Sequence, residues 1–329
     1  MKSLVNHPKV ICLGEILFDC IADQPGQELM QVKSWTPYPG GAPANVACGL
    51  TKLGTSAAFI GCVGRDHLGD QLIQLLEKTG VNVTAIQRHF FAPTRQVYVT
   101  RSGSGERYFA GFGEISTDQF ADTQLNSQQI PESLFIEAEY LVTGTLELAY
   151  SQSRQAIHKA LELAKIHQVR VLIDINWRPL FWLNLEPVAA LIDHLLQQAD
   201  FIKCSTQEAQ WLFKTEDPQE IAQKFPKVSG VLVTEAEKGC KYYLGDNIGQ
   251  INGFKVKVED TTGAGDSFVA AFVHQCCLKG DRLLQDPKVA EQAIRYANAV
   301  GAITTTKLGA ISAQPSAKEV DGFLAFFEY

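Results

Sequence analysis

From residue 138 onward, short apolar runs alternate with helix-like segments, and this spacing constrains the fold more than any other feature of the sequence. Runs at 138–143, 170–174, 200–203 and 230–234 are separated by segments of helical periodicity at 151–167, 187–198 and 207–213. Such alternation requires a parallel sheet, because each connection returns the chain to the same end, and it buries the sheet on both faces. Earlier in the chain, 10–13 and 57–63 read as further buried strands and 68–78 as a helix, while Pro43 opens a helix that runs to Leu53. With no internal repeat and no low-complexity linker, residues 1–329 read as one α/β unit, a doubly wound three-layer sandwich around a mainly parallel sheet.

Two stretches do not belong to that sheet. Residues 17–22 and 29–35 alternate apolar and polar positions around the turn DQPGQ, and 96–101 and 107–112 do the same around SGSGE. These two hairpins, within about 17–38 and 95–113, are expected to form a small β-sheet lid outside the main sheet. Gly103 and Gly105 serve the second turn.

The formal net charge of −7 gives a nucleic acid or an anionic membrane no electrostatic reason to bind. No run approaches the ~18 apolar residues of a membrane span, and the N-terminus lacks a secretory pattern. The expectation is a soluble, cytoplasmic protein. Its eight cysteines form no CxxC and sit mostly in apolar segments, which fits buried thiols rather than a disulfide framework or metal site. The seven histidines have no ligand spacing.

Ligands of such sheets bind at the carboxyl ends of the strands. The polar residues that end the runs therefore form one constellation: Glu15 and Asp19, Asp174 with Asn176 and Arg178, Lys203 and Ser205 with Glu208, Thr234, and the turn at Asp260. That turn begins the stretch DTTGAGDSF, 260–268. Phe254, Val256 and Val258 lead into it with the alternation of a strand, Gly263 and Gly265 permit a tight turn, and the helix that follows is apolar almost all round. The first N–H groups of a buried helix make an anion site, here Gly263, Ala264, Gly265 and Asp266. A carboxylate at Asp266 is out of place there unless it handles a proton beside the anion, as phosphoryl transfer to an alcohol requires. The competing reading is a helix-capping aspartate. There is no GxxxxGK[ST], and Gly263-Ala264-Gly265 lacks the third glycine of a dinucleotide fingerprint.

DTTGAGDSF resembles the second signature of the ribokinase-like, PfkB-type carbohydrate kinases. The first signature is similar to GGAPANVACGLTKLG at 40–54, followed by Gly61, Gly64, Asp66 and Gly69, and the resemblance reaches GAITTTKLGAI at 301–311, where fructokinases are most similar. It implies an ATP- and Mg²⁺-dependent kinase acting on a sugar primary hydroxyl, with D-fructose and its 6-hydroxyl favoured. By the same resemblance Asp266 is the base. Gly40, Gly41, Asn45 and Asp19 hold the sugar, and Arg178, in DINWRPLFW, stabilises the moving phosphoryl group. Lys203, Thr234, Gly239 and Asn298 adjoin the nucleotide. Glu208 acts on Mg²⁺ through water, and Asp260, Thr262 and Gly309 lie where many relatives bind a monovalent cation such as K⁺. Relatives are monomers or pair through the lid. Two departures stand out: Ala236 replaces the middle glycine of T-x-G-x-x-G, and Gly113 lies where plant fructokinases carry an arginine. Arg101 is then the cation expected to read the sugar's far end. Ribose, 2-keto-3-deoxygluconate, and a catalytically silent sugar- or nucleotide-binding relative remain the alternatives.

Overall fold

The structure, a computed structural model, describes residues 7–102 and 107–327. Thirteen strands lie in chain order: β1 (Val10–Leu13), β2 (Leu17–Ala22), β3 (Trp35–Gly40), β4 (Ala57–Gly64), β5 (Asn82–His89), β6 (Gln96–Arg101), β7 (Arg107–Gly111), β8 (Tyr140–Thr143), β9 (Arg170–Asp174), β10 (Phe201–Ser205), β11 (Gly230–Thr234), β12 (Cys240–Leu244) and β13 (Asn247–Ile251). The principal helices are α1 (Ala42–Leu53), α2 (His67–Thr79), α3 (Ser151–Ile166), α4 (Val188–Leu196), α5 (Thr206–Phe213), α6 (Pro218–Ala222) and α7 (Ala264–Lys279). After the short α8 (Arg282–Gln285) come α9 (Pro287–Thr304), α10 (Ala310–Ala313) and α11 (Ala317–Phe326).

Nine strands form one sheet in the order β13-β12-β11-β10-β9-β8-β1-β4-β5, parallel from β11 to β5, with β12 antiparallel to both neighbours. The chain fills one side of β1 with β4 and β5 and the other with β8 to β11, so strand order reverses at β1 and β8. A crevice opens at such a reversal, at the carboxyl ends of the strands. Alternate residues of β1 feed opposite faces: Val10 and Cys12 pack with α1, α7 and α9, while Ile11 and Leu13 pack with α3 and α4. Helix α7 is buried along most of its length, as its apolar circumference demands, and small residues let it approach its neighbours. A Cβ on Gly49 of α1 would lie 2.7 Å from the Cβ of Ala270.

The remaining four strands form a separate sheet, β3-β2-β6-β7, with β2 and β6 parallel. The sequence places the second of these strands at 29–35; it is instead Trp35–Gly40, and Leu29–Gln31 is a single 3-10 turn. Pro37 and Pro39 lie within the strand itself. Phe18 donates its N–H to the carbonyl of Arg95, just before β6, so in the pairs Phe18–Pro39 and Cys20–Pro37 the backbone groups face away from each other. On an edge strand, proline at those positions sacrifices no ladder bond. The turn between β6 and β7, 103–106, lies outside the described residues.

A second correction concerns 254–258, which joins no sheet. Phe254 packs on rings rather than in a sheet: it meets Phe323 and Phe327 edge-on, each at 5.1 Å, and lies under the Arg295 guanidinium, while Val258 is exposed.

Candidate active site

The turn before α7 is built as its glycines require. Gly263 has φ 76°, and a Cβ there would also strike Ala310 at 2.6 Å. Among the described residues no backbone acceptor takes the N–H groups of Gly265 and Asp266, which leaves them aimed at the crevice. Half-buried Asp266 accepts a hydrogen bond from Asn45 Nδ2 at 2.7 Å. Burial raises the pKa of its carboxyl, while the Asn45 amide and the charges of Lys203 and Arg178 act in the opposite sense.

Asn45 lies in the first turn of α1, which starts where Gly41 takes φ 104°. A Cβ on Gly41 would come within 2.5 Å of the Glu15 carbonyl, and one on Gly40 within 2.7 Å of Asp19 Oδ2. Gly40, Gly41, Asn45 and Asp19 therefore lie close together beside Asp266, on the side of the small sheet. The amide of Asn45 is spent on Asp266, and its Oδ1 is buried without a donor.

On the other side of Asp266, the register of β9 and β10 sets Lys203 beside Asp174, and Lys203 Nζ reaches both carboxylate oxygens at 3.1 Å. Burial pushes Asp174 up to about 6 against the pull of Lys203. Burial also disfavours the Lys203 ammonium, but Asp174, Glu208 and Asp266 outweigh it and keep the group charged. A Cβ on Gly265 would stand 3.2 Å from Lys203 Nζ, so the cation lies directly under the anion turn. Glu208 closes a capping box with Ser205: its Oε2 accepts the Ser205 N–H and hydroxyl, and its Oε1 accepts the Trp177 N–H at 2.6 Å. Its helix-start role is thus realised, with both oxygens engaged. Arg178, exposed at the rim, donates to the Trp177 carbonyl at 3.0 Å.

Beyond the turn a cleft of about 470 Å³ is walled by Thr234, Gly239, Phe254, Val256, Asn298 and Ala302, with Ala264 and Gly265 at its inner end. Thr234, Gly239 and Asn298 thus face one space. Asn298 Nδ2 donates to the carbonyls of Ile251 and Asn252, fixing the strand end that borders the cleft. Ala236 has φ 43°, so the turn keeps a left-handed conformation where the family pattern has glycine. Phe254 and Val256 were not legible as cleft residues, because their alternation reads as a strand. Asp260 joins two loops: Oδ1 accepts the N–H and hydroxyl of Thr262, and Oδ2 accepts the Gly309 N–H at 2.9 Å. Arg101 ends β6 by its backbone; its side chain, like that of Arg107, lies outside the described residues.

The cluster of Asp19, Gly40, Gly41 and Asn45 and an elongated cleft lie on two sides of one anion turn bearing a carboxylate, at the reversal point of a doubly wound sheet. These features define a kinase of small alcohols. The chain belongs to the pfkB family of carbohydrate kinases, whose pattern matches residues 7–317. It is 36% identical over 316 residues to a probable fructokinase-5 of Arabidopsis thaliana, covering 95% of this chain and 96% of that one. To a fructokinase-2 of Oryza sativa it is 35% identical over 310 residues, with coverage of 93% and 91%. Among solved structures it is similar to the fructokinase of Xylella fastidiosa with bound ATP (TM-score 0.88, 27% identity, 98% and 99% of the two chains). The Vibrio cholerae fructokinase with fructose, ADP and calcium ion superposes with a TM-score of 0.83 at 29% identity, over 97% and 99% of the chains. The protein is an ATP-dependent sugar kinase.

Proposed function

We propose that this kinase phosphorylates D-fructose at its 6-hydroxyl, with ATP and Mg²⁺. The hydrogen bond between Asn45 and Asp266 carries the reading, because it places the residue of the sugar signature against the carboxylate of the phosphate turn. Asp19, Gly40, Gly41 and Asn45 bind the ring hydroxyls. Asp266 accepts the proton of the primary hydroxyl as that oxygen attacks the terminal phosphorus and the bond to ADP breaks. The N–H groups of Gly265 and Asp266 receive the charge that develops on the transferred group, and Lys203 and Arg178 add positive potential on either side. Mg²⁺, bound with the nucleotide, screens the phosphate charge. Glu208 offers it the lone pairs left by its three donors, which suits a contact through water.

In the same reading the adenine side of ATP occupies the cleft between Thr234, Gly239 and Asn298. The four-stranded sheet is a lid that closes over the sugar and excludes water. Residues 1–329 act as one domain, cytoplasmic in location, as a monomer or as a homodimer joined through the lid. Among the described residues no helix is long and apolar enough to cross a membrane. A K⁺ ion belongs at Asp260, Thr262 and Gly309, using carbonyls of the two loops that Asp260 ties; replacing K⁺ by Li⁺ should then slow turnover.

The decisive experiment is a coupled ADP-release assay with fructose, glucose, ribose, 2-keto-3-deoxygluconate and a nucleoside, each with Mg²⁺ and K⁺. Fructose should give the highest kcat/KM. A sugar acid turned over more efficiently would overturn the fructose assignment, and absence of ADP release with every acceptor would favour a silent relative.

A further inference from the structure

Two buried acids meet where the strand order reverses. Glu15 follows β1 and Glu147 follows β8, and they are only 5% and 2% exposed. Glu15 Oε1 accepts the N–H of Ala42, the first residue of α1, at 2.7 Å. Neither oxygen of Glu147 has a well-aligned donor among the described residues, its own backbone N–H being the nearest, and the side chain against it is the Glu15 carboxyl. Two ionised carboxylates would both be acceptors, and each would repel the other in a site that water does not reach. A single proton resolves this, because a protonated carboxyl is a donor.

Among the described residues no cation acts on either acid. The charged group that faces both acids is Asp122, itself negative and held at 2.5 Å by Arg95. Helix α1 contributes the Ala42 N–H alone. Burial pushes Glu15 up to about 7 against the pull of backbone N–H groups and of the Glu147 proton, while burial and then Glu15 raise Glu147.

The pair is fastened to the sugar pocket by direct packing. A Cβ on Gly14 would lie 2.9 Å from Glu147 Oε1 and 2.5 Å from Pro43 Cγ, so the ends of β1 and β8 and the start of α1 press together. Gly41 rests on the Glu15 carbonyl, and its own carbonyl accepts the Asn45 N–H at 2.8 Å. We propose that Glu15 and Glu147 share one proton and in that form clamp the Gly41–Asn45 turn, which makes Glu147 a positioning residue for sugar binding. This rests on the reading of Gly40, Gly41 and Asn45 as the sugar site.

The sign follows from the raised pKa values. An exposed glutamate ionises near 4.5, whereas this pair keeps its proton to higher pH. Glu15, which accepts the Glu147 proton, ionises first, at about 7, so the one-proton clamp stands above that point and is lost as pH rises further through the ionisation of Glu147. Sugar binding should weaken on the alkaline side, the opposite of what a base such as Asp266 does to turnover.

The test is the KM for fructose and for ATP from about pH 6 to about pH 9, in the unmodified enzyme and in Glu147→Gln. The expected result is a fructose KM that rises roughly tenfold with pH while the ATP KM stays level, the loss of one buried hydrogen bond. In Glu147→Gln the amide donates to Glu15 at every pH, so the rise should disappear. A level fructose KM in the unmodified enzyme, or an equal rise in the variant, overturns the positioning role. The infrared absorption of a protonated carboxyl, read on the unliganded protein and absent from Glu147→Gln, decides the shared proton without any turnover. If no sugar releases ADP, the functional reading fails while this band still judges the pair.

Discussion

Asn45 Nδ2 lies 2.7 Å from Asp266 Oδ2, joining side chains 221 positions apart in the chain. One donor thus orients the carboxylate proposed as the base, and the helix that supplies the donor starts at the glycines proposed to hold the sugar. Binding and chemistry share a residue, so α1 and α7 must hold a fixed relation. The close approach of Gly49 to Ala270 provides it.

Asp266→Asn keeps the size of the side chain and removes its capacity to accept a proton. Turnover at saturating sugar should fall by ~10²–10⁴-fold, with ATP and sugar affinity within a few-fold of the parent. Stopped-point product assays with calorimetry on the same variant measure both. Turnover within a few-fold of the parent would remove Asp266 from the role of base.

The pH dependence of kcat carries a second expectation. Burial raises the Asp266 carboxyl above the ordinary aspartate value, against the opposing pull of Asn45, Lys203 and Arg178. The base works only when ionised, so kcat should fall as pH drops, with its acid limb above the ordinary aspartate range. In Asn45→Ala the donor that favours the ionised form is gone, and the limb should move to still higher pH. A limb that stays in place would show that the hydrogen bond does not tune the base.

Removing Asp19 tests the sugar pocket alone. Its carboxylate crosses the face of Gly40, away from the nucleotide cleft. Asp19→Ala should cost ~1–3 kcal/mol of sugar binding, read by calorimetry, and leave ATP binding unchanged. Unchanged sugar affinity would reassign Asp19 to the structure of the small sheet.

Most of this site was legible in the sequence because its groups sit at strand ends and in glycine turns, which local rules describe. The anion turn needs only Gly263, Gly265 and an apolar helix, and all three lie within a few residues. What the sequence hid depends on distant packing. Glu147 carries no local sign of the role proposed for it, since Glu15 follows a strand far earlier in the chain. Strand β3 was displaced because a proline's fate depends on which edge it faces. Residues 254–258 read as a strand from alternation alone, yet Phe254 is held by rings of the C-terminal segment and Val258 is exposed.

Arg95 is fully buried at the foot of β6. It reaches Asp122 through Nε and Nη2, the latter at 2.9 Å, and donates to the Thr117 carbonyl at 2.8 Å. The rings of Phe112, Phe120, Tyr150 and Phe181 surround it within 5.6 Å. Arg95→Leu leaves the Asp122 carboxylate uncompensated and should destabilise the protein by ~3–5 kcal/mol in denaturant unfolding. Replacing both Arg95 and Asp122 by leucine should cost less than the sum of the single changes. Additive losses would mean that the aromatic cage, not the ion pair, holds the base of the small sheet.

Ala236 and Gly239 offer the converse pair of changes at the nucleotide cleft. Ala236 holds φ 43°, a left-handed conformation that costs a residue with a Cβ roughly 1 kcal/mol or more. Gly239 has φ 97°, and a Cβ there would fall 2.0 Å from the Ile251 carbonyl. Ala236→Gly should therefore be tolerated, with stability raised by up to ~1 kcal/mol and the ATP KM unchanged or lower, because the turn already has the shape glycine prefers. Gly239→Ala should displace Ile251 and with it the carbonyl that Asn298 binds. Its ATP KM should rise at least tenfold, about 1.4 kcal/mol, while the fructose KM moves little. Thermal unfolding and steady-state kinetics on the two variants read these outcomes separately. Equal losses of ATP and sugar affinity in Gly239→Ala would show a general unfolding of the sheet edge rather than a damaged cleft.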